Sequence, residues 1–109
     1  MNRNYVKGVK FEREVMSILS NEGYFCLRSA GSHSWCDVVA VNLNEVKFIQ
    51  CKTTKDKNVE GIVKKVLFEL LDNKVYEFLP ECVVVEVWVK GPGRVVKRVV
   101  GRGVSVDEV

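Results

Sequence analysis

The sequence predicts an α/β domain with a central mixed β-sheet of about five strands flanked by helices. Two observations predict this class. The predicted elements follow one another in the order helix, three strands, helix, two strands. Several of these strands are apolar on both faces, as in a sheet that is covered on both sides. With 109 residues and 47% apolar residues, the chain has room for one modest core, so we expect a single domain over residues 1–109.

Two segments have the apolar periodicity of amphipathic helices. Residues 7–22 carry apolar side chains at helical spacing, and Gly23 ends the pattern. Residues 59–72 repeat the periodicity, with an apolar face formed by Ile62, Val63, Val66, Leu67, Leu70 and Leu71. Each helix therefore presents one apolar stripe to the sheet.

Five short apolar runs are predicted to be strands, over residues 24–29, 37–41, 46–52, 82–90 and 94–100. The second and third strands are joined by the polar turn Asn42-Leu43-Asn44-Glu45, and the last two by Gly91-Pro92-Gly93, both typical of hairpins. Residues 30–35 and 53–58 have the composition of loops. Residues 103–109 are expected to be a frayed end.

The composition restricts the class of protein. No apolar run approaches the roughly 20 residues that span a bilayer, and the start of the chain, MNRNYVKG, lacks the apolar segment of a secretory signal. We therefore expect a cytoplasmic protein with no membrane association. The four cysteines form no C-x-x-C pair, which favours reduced thiols over a structural zinc site. The net charge of +3 is mild but fits a polyanionic partner.

Charged and amide side chains occur where the predicted sheet should be most apolar. Asp37 begins the second strand, and Gln50 and Lys52 lie at the end of the third. If the hairpin loop consists of the two residues 43–44, Asp37 lies across the ladder from Gln50. Lys52 then projects from the same face as Gln50. A three-residue loop would shift the register and separate these groups.

The first helix supplies a second acid. At about 100° per residue, Glu12 falls within the apolar arc of this helix, between Val15 and Met16. A carboxylate on a buried face is unfavourable unless it is paired or binds a metal. Two acids, an amide oxygen and a lysine at one sheet edge suit phosphodiester hydrolysis with Mg²⁺ held by oxygen ligands. The alternative is a purely structural ion pair between Asp37 and Lys52.

Three sequence motifs occur in a fixed order over residues 7–54. They are Gly8…Phe11-Glu12-Arg13-Glu14, then Gly23-Tyr24-Phe25…Arg28-Ser29-Ala30-Gly31-Ser32, then Asp37-Val38-Val39-Ala40 with Gln50-Cys51-Lys52. In this order and spacing the chain resembles the archaeal-type Holliday junction resolvases, which are restriction-endonuclease-like nucleases. The resemblance implies that fold and a homodimeric DNA endonuclease that uses Mg²⁺, with Mn²⁺ as a substitute. It also implies binding to four-way junctions, which are resolved by paired symmetric nicks in DNA recombination and repair.

The resemblance implies roles for four residues of the catalytic and metal site. Glu12 and Asp37 match the acids that bind the metal, and Lys52 matches the catalytic lysine. Gln50 stands where the family usually has glutamate. Its carbonyl oxygen still serves as a metal ligand, but the loss of one negative charge lowers the expected metal affinity and leaves the number of bound metals open.

The resemblance also implies residues that contact DNA. Arg13 and Arg28 match basic residues that serve phosphate binding or cleavage. Ser32 matches the serine of a mobile active-site loop and is included among the catalytic residues. The remaining predicted DNA-binding residues come from the basic clusters and from the second motif; they are Lys7, Lys10, Ser29 and Lys55.

Three other functions stay open on the sequence alone. The first is a nuclease of the same fold that acts on ordinary duplex, flaps or mismatches. The second is a non-catalytic junction-binding protein, in which Gln50 marks a lost activity. The third is an interaction domain whose polar cluster is structural, and it predicts no salt-dependent binding of DNA.

Overall fold

A mixed six-stranded sheet forms the centre of the structure, a computed structural model that describes residues 3–29, 36–72, 80–100 and 105–108. The helices and strands, in chain order, are α1 (Arg3–Asn21), β1 (Phe25–Arg28), β2 (Val38–Val41), β3 (Val46–Thr53), α2 (Val59–Asp72), β4 (Val83–Gly91), β5 (Arg94–Val100) and β6 (Ser105–Glu108). The strands lie side by side in sequence order. β3 and β4 are parallel and are connected through α2, and the other neighbouring strands are antiparallel.

The predicted fold class is confirmed, and one prediction about the chain end is wrong. The mixed sheet and the order of the first seven elements agree with the expectation. Residues 105–108, which were expected to lie in a frayed end, form β6 and pair with β5, so that Val99 lies opposite Ser105. The free edge of β5 offers unpaired backbone groups, and pairing with β6 satisfies those groups on the described part of that edge.

α1 packs on one face of the sheet and ends where the sequence predicts. Gly23 has a φ of 95°, a conformation that glycine adopts without strain. The N–H of Gly23 donates to the Ser20 carbonyl at 3.1 Å, and the N–H of Tyr24 donates to the Leu19 carbonyl at 3.0 Å, which closes the helix as a Schellman motif. The core under α1 consists of Phe11, Val15, Leu19, Val38, Ala40, Ile49 and Trp88.

α2 covers the opposite face of the sheet, over β4 and β5. It begins after Asn58, whose side-chain Oδ1 accepts a hydrogen bond from the N–H of Gly61 at 3.1 Å. Along β4, Trp88 packs against α1, whereas Val87 and Val89 pack against α2. Because successive strand residues point to opposite faces, the apolar run of β4 is buried on both sides, as the sequence predicts.

The β2–β3 hairpin has the predicted two-residue loop. The N–H of Asn42 donates to the Glu45 carbonyl at 3.1 Å. The side-chain Oδ1 of Asn42 accepts hydrogen bonds from the N–H groups of Asn44 and Glu45 at 2.8 and 2.9 Å, as an asparagine does in a turn of this kind. Val38 therefore pairs with Ile49, in the register that the sequence analysis assumed.

A buried ion pair lies under α1, toward the start of β3. Lys47 Nζ is 2.7 Å from Glu86 Oε2, and Glu86 is 1% exposed. The other carboxylate oxygen of Glu86 accepts a hydrogen bond from Trp88 Nε1 at 2.8 Å. Burial acts to lower the pKa of Lys47, but the hydrogen bond and charge of Glu86, with Tyr24 and Glu45, raise it overall. Both buried charges are therefore paired, as buried charges must be.

Two expectations from composition can be compared with the structure. None of the four cysteines forms a disulfide, in agreement with the expected free thiols. Neither α1 nor any other helix in the described part of the chain combines the length and the apolar character needed to cross a bilayer.

Candidate active site

Asp37 lies immediately before β2 and is held from both neighbouring strands. Its N–H donates to the Ile49 carbonyl of β3 at 2.8 Å, and its carbonyl accepts the N–H of Ser29, next to β1, at 2.8 Å. Its carboxylate Oδ2 accepts a third hydrogen bond, from the N–H of Cys51 at 2.8 Å. These bonds fix both the backbone and the side chain of Asp37.

The predicted pairing of Asp37 with Gln50 is wrong in detail, although the hairpin register is right. Val38 already pairs with Ile49, and the N–H of Asp37 bonds to the same Ile49 carbonyl. Two residues thus lie opposite one, which is the geometry of a β-bulge. Asp37 therefore does not take a regular place across from Gln50, and its carboxylate lies against the Cys51 amide instead.

Glu12 lies on α1 beside the basic residue that ends β1. Its side chain is 15% exposed, in agreement with the predicted position on the inner arc of the helix, and its Oε1 is 3.6 Å from Arg28 Nη1. Burial raises the pKa of Glu12, the charge of Asp37 raises it further, and Arg28 lowers it. The two acids are thus close enough for each to oppose ionisation of the other.

Lys52 acts on Asp37 by charge but does not form an ion pair with it. Burial raises the pKa of Asp37, while the hydrogen bond from Cys51 and the charges of Lys52 and Arg28 lower it. The described residues contain no Asp37–Lys52 contact within 4.0 Å. The alternative of a structural ion pair between these two side chains is therefore not observed.

Gln50 carries an unsatisfied oxygen. Its side-chain Oε1 is buried and has no hydrogen-bond partner. By strand alternation Gln50 points away from Ile49 and Cys51, which pack toward α1. The structure therefore places Glu12, Asp37 and Arg28 together at the end of the β2–β3 hairpin, while Lys52, which shares the Gln50 face of β3, acts on Asp37 by charge. A buried carbonyl oxygen left without a partner costs about 1–3 kcal/mol, so a donor such as water, or a cation, is favourable at this position.

Two adjoining cavities extend from this cluster along α1. One, of about 590 Å³, is lined by Gly8, Cys51 and Lys52 among others. The next, of about 400 Å³, lies between α1 and the β4–β5 turn and includes Phe11 and Lys90. Residues that line both are Lys7, Thr53, Thr54 and Lys55, and Lys10 lines the second. Three of the predicted DNA-binding lysines thus share one basic groove with Lys52.

The other predicted DNA-binding residues are placed differently. Arg13 is exposed and lines a separate cavity with Tyr24 and Phe25, away from the basic groove. Ser29 contributes its backbone N–H to Asp37. Ser32 lies outside the described residues.

Sequence reasoning missed the contribution of Cys51, because the group that holds Asp37 is a backbone amide, which leaves no signal in the side-chain pattern. It also missed Lys90, Thr53 and Thr54, whose place in the groove depends on the parallel pairing of β3 with β4.

The donor atoms fit a hard divalent cation. In the part of the chain that the structure describes, no three histidine, cysteine or acidic side chains gather around one point. Two carboxylates, Glu12 and Asp37, interact by charge at the site, and the unpaired Oε1 of Gln50 lies on the adjoining strand β3. Mg²⁺ is commonly bound through one or two carboxylates and keeps several waters. These oxygen ligands therefore suit Mg²⁺ better than a soft metal.

The mixed sheet with a helix on each face, and with a cluster of acidic and basic side chains at the end of one hairpin, defines an α/β protein with a candidate active site. The family model described as archaeal Holliday junction resolvase (Hjc) matches residues 3–72, more than half of the 109-residue chain. The chain belongs to the archaeal Holliday junction resolvase family.

One curated relative agrees with this assignment, and one solved structure agrees with the fold. Over 81 residues the chain is 41% identical to the crossover junction endodeoxyribonuclease Hjc of Methanocaldococcus jannaschii. The alignment covers 70% of this chain and 60% of that protein, so the chain spans less than two thirds of its curated relative's length. The solved structure of Archaeoglobus fulgidus Hjc, a Holliday junction resolvase, is similar with a TM-score of 0.53 and 24% identity, over 85% of this chain and 70% of that one. At this identity the similarity shows the fold alone.

Proposed function

We propose that this chain is a Mg²⁺-dependent DNA endonuclease that binds four-way junctions as a homodimer and resolves them by paired symmetric nicks. Membership of the resolvase family supports the reaction and the substrate. The observation that carries the proposal is the convergence of two largely buried acids with Arg28 and Lys52 at the end of one hairpin. A cluster of this kind is typical of a functional site rather than of a packed core.

Each residue of the cluster has a distinct task in the proposed reaction. Asp37, fixed by its bond to the Cys51 amide, and Glu12 hold the divalent cation, and Gln50 Oε1 adds a third oxygen. The bound cation supplies polarisation of the scissile phosphate and a lowered pKa for the attacking water. Lys52 places a positive charge where negative charge builds on the phosphate in the transition state, and it orients the water.

The basic groove offers a path for the DNA backbone beside the cut. Lys7, Lys10 and Lys55 line the two cavities that extend from Lys52. We assign these lysines to phosphate contacts, which position a duplex without reading its sequence. Arg28 serves the phosphate at the cut. Arg13, Ser29 and Ser32 complete the proposed DNA-binding and catalytic set.

An exposed apolar strip supports the proposed homodimer. Phe25 and Leu27 of β1 are more than half exposed, and Val41, which pairs with Phe25, lies on the same face of the sheet. A two-fold contact through this strip would give each junction two active sites. Leu27→Lys is expected to shift the protein from dimer to monomer in light scattering, whereas Leu43→Lys, at the fully exposed hairpin tip, leaves the dimer intact. A monomeric wild type would contradict the dimer.

The central test is cleavage of a synthetic four-way junction with and without Mg²⁺, next to linear duplex of the same sequence. We expect junction products only with Mg²⁺ or Mn²⁺. Lys52→Ala should lower the cutting rate by about 10²–10⁴-fold and leave junction affinity intact. Lys64→Ala, at an exposed position on α2, removes the same charge and should leave the rate unchanged. Unchanged cutting by Lys52→Ala would refute the catalytic role.

A second variant tests Gln50 as a ligand. Gln50→Glu restores the carboxylate that the family usually has, so the Mg²⁺ concentration required for half-maximal cutting should fall. A higher requirement would refute the ligand role. Equal cutting of junction and linear duplex would favour a nuclease of broader substrate range. Tight junction binding without product at any Mg²⁺ or Mn²⁺ concentration would favour a non-catalytic junction-binding protein.

A further inference from the structure

Arg28, which the proposed reaction assigns to the phosphate at the cut, also lies against one of the two acids of the cluster. It ends β1 opposite Val38, the residue after Asp37, and its guanidinium lies 3.6 Å from Glu12. Its charge lowers the pKa values of both acids. Arg28 therefore acts as the counter-ion of the acid pair in the protein without DNA.

The contact is set by charge rather than by a well-formed hydrogen bond. Charge-assisted N–H···O bonds measure about 2.7–2.9 Å, and the Arg28–Glu12 separation of 3.6 Å is longer. The side chain of Arg28 is 25% exposed, so solvent and ligands can reach it. A phosphate offers the guanidinium the paired oxygens that suit its planar fork. Arg28 can thus be transferred from Glu12 to DNA without breaking a short bond.

The formal charges of the cluster show what such a transfer changes. Glu12 and Asp37 carry two negative charges, Arg28 and Lys52 carry two positive ones, and Gln50 carries none. A divalent cation therefore meets an electrically balanced cluster in the free protein. Removing Arg28 from Glu12 leaves an excess of negative charge around the oxygen ligands, which favours the cation.

We propose that Arg28 neutralises the acid pair in the free protein and that a DNA phosphate draws Arg28 away from Glu12. The acid pair then binds the divalent cation more tightly, so that junction DNA and metal bind with positive coupling. The inference rests on the proposed function. Because coupling between two ligands is reciprocal, the metal also tightens junction binding. Arg28 is then a positioning residue that prevents the site from filling with metal before DNA is bound.

The test measures Mn²⁺ affinity without DNA, by the electron paramagnetic resonance signal of free Mn²⁺, at constant ionic strength. Arg28→Gln should bind Mn²⁺ about five-fold or more tightly than wild type, within the 5–150-fold range of typical couplings. Arg28→Lys keeps the charge and should stay close to wild type. Lys64→Gln removes one exposed charge on α2 and serves as the matched control. Circular dichroism verifies that each variant is folded.

A second arm measures the coupling itself in a Lys52→Ala background, which prevents cutting. A saturating concentration of four-way junction should raise the Mn²⁺ affinity of this protein. A second substitution, Arg28→Gln, should reduce this junction-dependent increase in Mn²⁺ affinity. Suppose that the wild type binds Mn²⁺ and cuts junctions. Equal Mn²⁺ affinity of wild type and Arg28→Gln would then overturn this inference but not the proposed function. A wild type that binds no Mn²⁺ and cuts no junction would overturn the proposed function together with the inference.

Discussion

The carboxylate of Asp37 replaces a backbone carbonyl at the end of the β2–β3 ladder, where its Oδ2 accepts the N–H of Cys51 at 2.8 Å. The bulge opposite Ile49 interrupts the regular ladder at this point. Asp37 thus has two tasks, since it satisfies a strand amide and supplies a proposed metal ligand. Asp37→Ala would remove both, whereas Asp37→Asn keeps an oxygen for the Cys51 amide and removes only the charge.

We expect Asp37→Asn to stabilise the metal-free protein at about pH 7. The pKa of Asp37 is raised above its ordinary value of 3.8, chiefly by burial. Between the unfolded and folded pKa values the folded state binds more protons, so wild-type stability falls as the pH rises through this window. The variant lacks that loss, so its free energy of unfolding should exceed that of the wild type by about 0.5–2 kcal/mol. Urea unfolding in the presence of a chelator measures the difference.

The gain should shrink at about pH 3, below the ordinary pKa of 3.8, where Asp37 is largely protonated in both states. Asp56→Asn is the matched control, because Asp56 is exposed and its Oδ1 also accepts a backbone N–H, from Asn58 at 2.8 Å. A variant that is less stable than wild type by the same amount at both pH values would contradict the prediction.

The parts of the fold that the sequence predicts well depend on local signals. The bounds of α2 coincide with the predicted residues 59–72, because a capping asparagine precedes a strong apolar period. The hairpin register follows from Asn42, whose side chain bonds within its own turn. Residues 105–108 carry a weaker local pattern, and their strand conformation depends on the edge of β5.

The sequence predicts which residues form the candidate site, but it does not encode the geometry that the structure gives them. The inward position of Glu12 follows from helical periodicity alone. The bulge at Asp37 depends on how β1, β2 and β3 meet. The side chain of Gln50 points away from α1, and this direction depends on which face of β3 the helix covers. Residue spacing encodes neither feature. Glu86 is a similar case, since its burial depends on Lys47 in another strand. Tertiary partners of this kind are absent from the local pattern.

Gly91→Ala should destabilise the protein by about 1–3 kcal/mol, the usual cost of overpacking. A Cβ at position 91 would clash with Val59 Cγ2. Val59 is 1% exposed at the start of α2, and a β-branched side chain in a helix has little rotamer freedom. Urea unfolding measures the change. Val59→Ala should relieve part of this clash, so the double variant should lose less stability than the sum of the two single variants. Strictly additive losses would contradict the clash.

Gly8→Ala should have the opposite effect and stabilise the protein by about 0.5–1 kcal/mol, because alanine is the better helix former. A Cβ at this position meets nothing closer than Glu12 Oε2, at 4.0 Å. Junction cutting should be retained by Gly8→Ala. Gly8→Leu should lower cutting, because a longer side chain would enter the cavity that Gly8 shares with Lys52. A destabilised Gly8→Ala, or full activity of a folded Gly8→Leu, would contradict this account.

Glu86→Gln should cost about 3–5 kcal/mol of stability, the range for breaking a buried ion pair from one side. The glutamine oxygen can still accept the Trp88 Nε1 hydrogen bond, so the variant isolates the charge. Within the described part of the chain, Lys47 would keep only Glu45, at 3.9 Å, as its acidic partner. Because the pKa of Lys47 is raised above 10.5, its stabilising contribution is complete below that pH and is lost only as the pH rises further. Unfolding at about pH 7 therefore measures the wild type with this contribution of Lys47 complete.

The double variant Lys47→Met/Glu86→Gln separates charge burial from packing. It removes the uncompensated ammonium, and methionine replaces the unbranched lysine chain, so much of the stability should return. The difference between the double variant and the combined single variants measures the coupling energy of the pair. A double variant no more stable than Glu86→Gln would show that lost packing, rather than a buried unpaired charge, accounts for the effect.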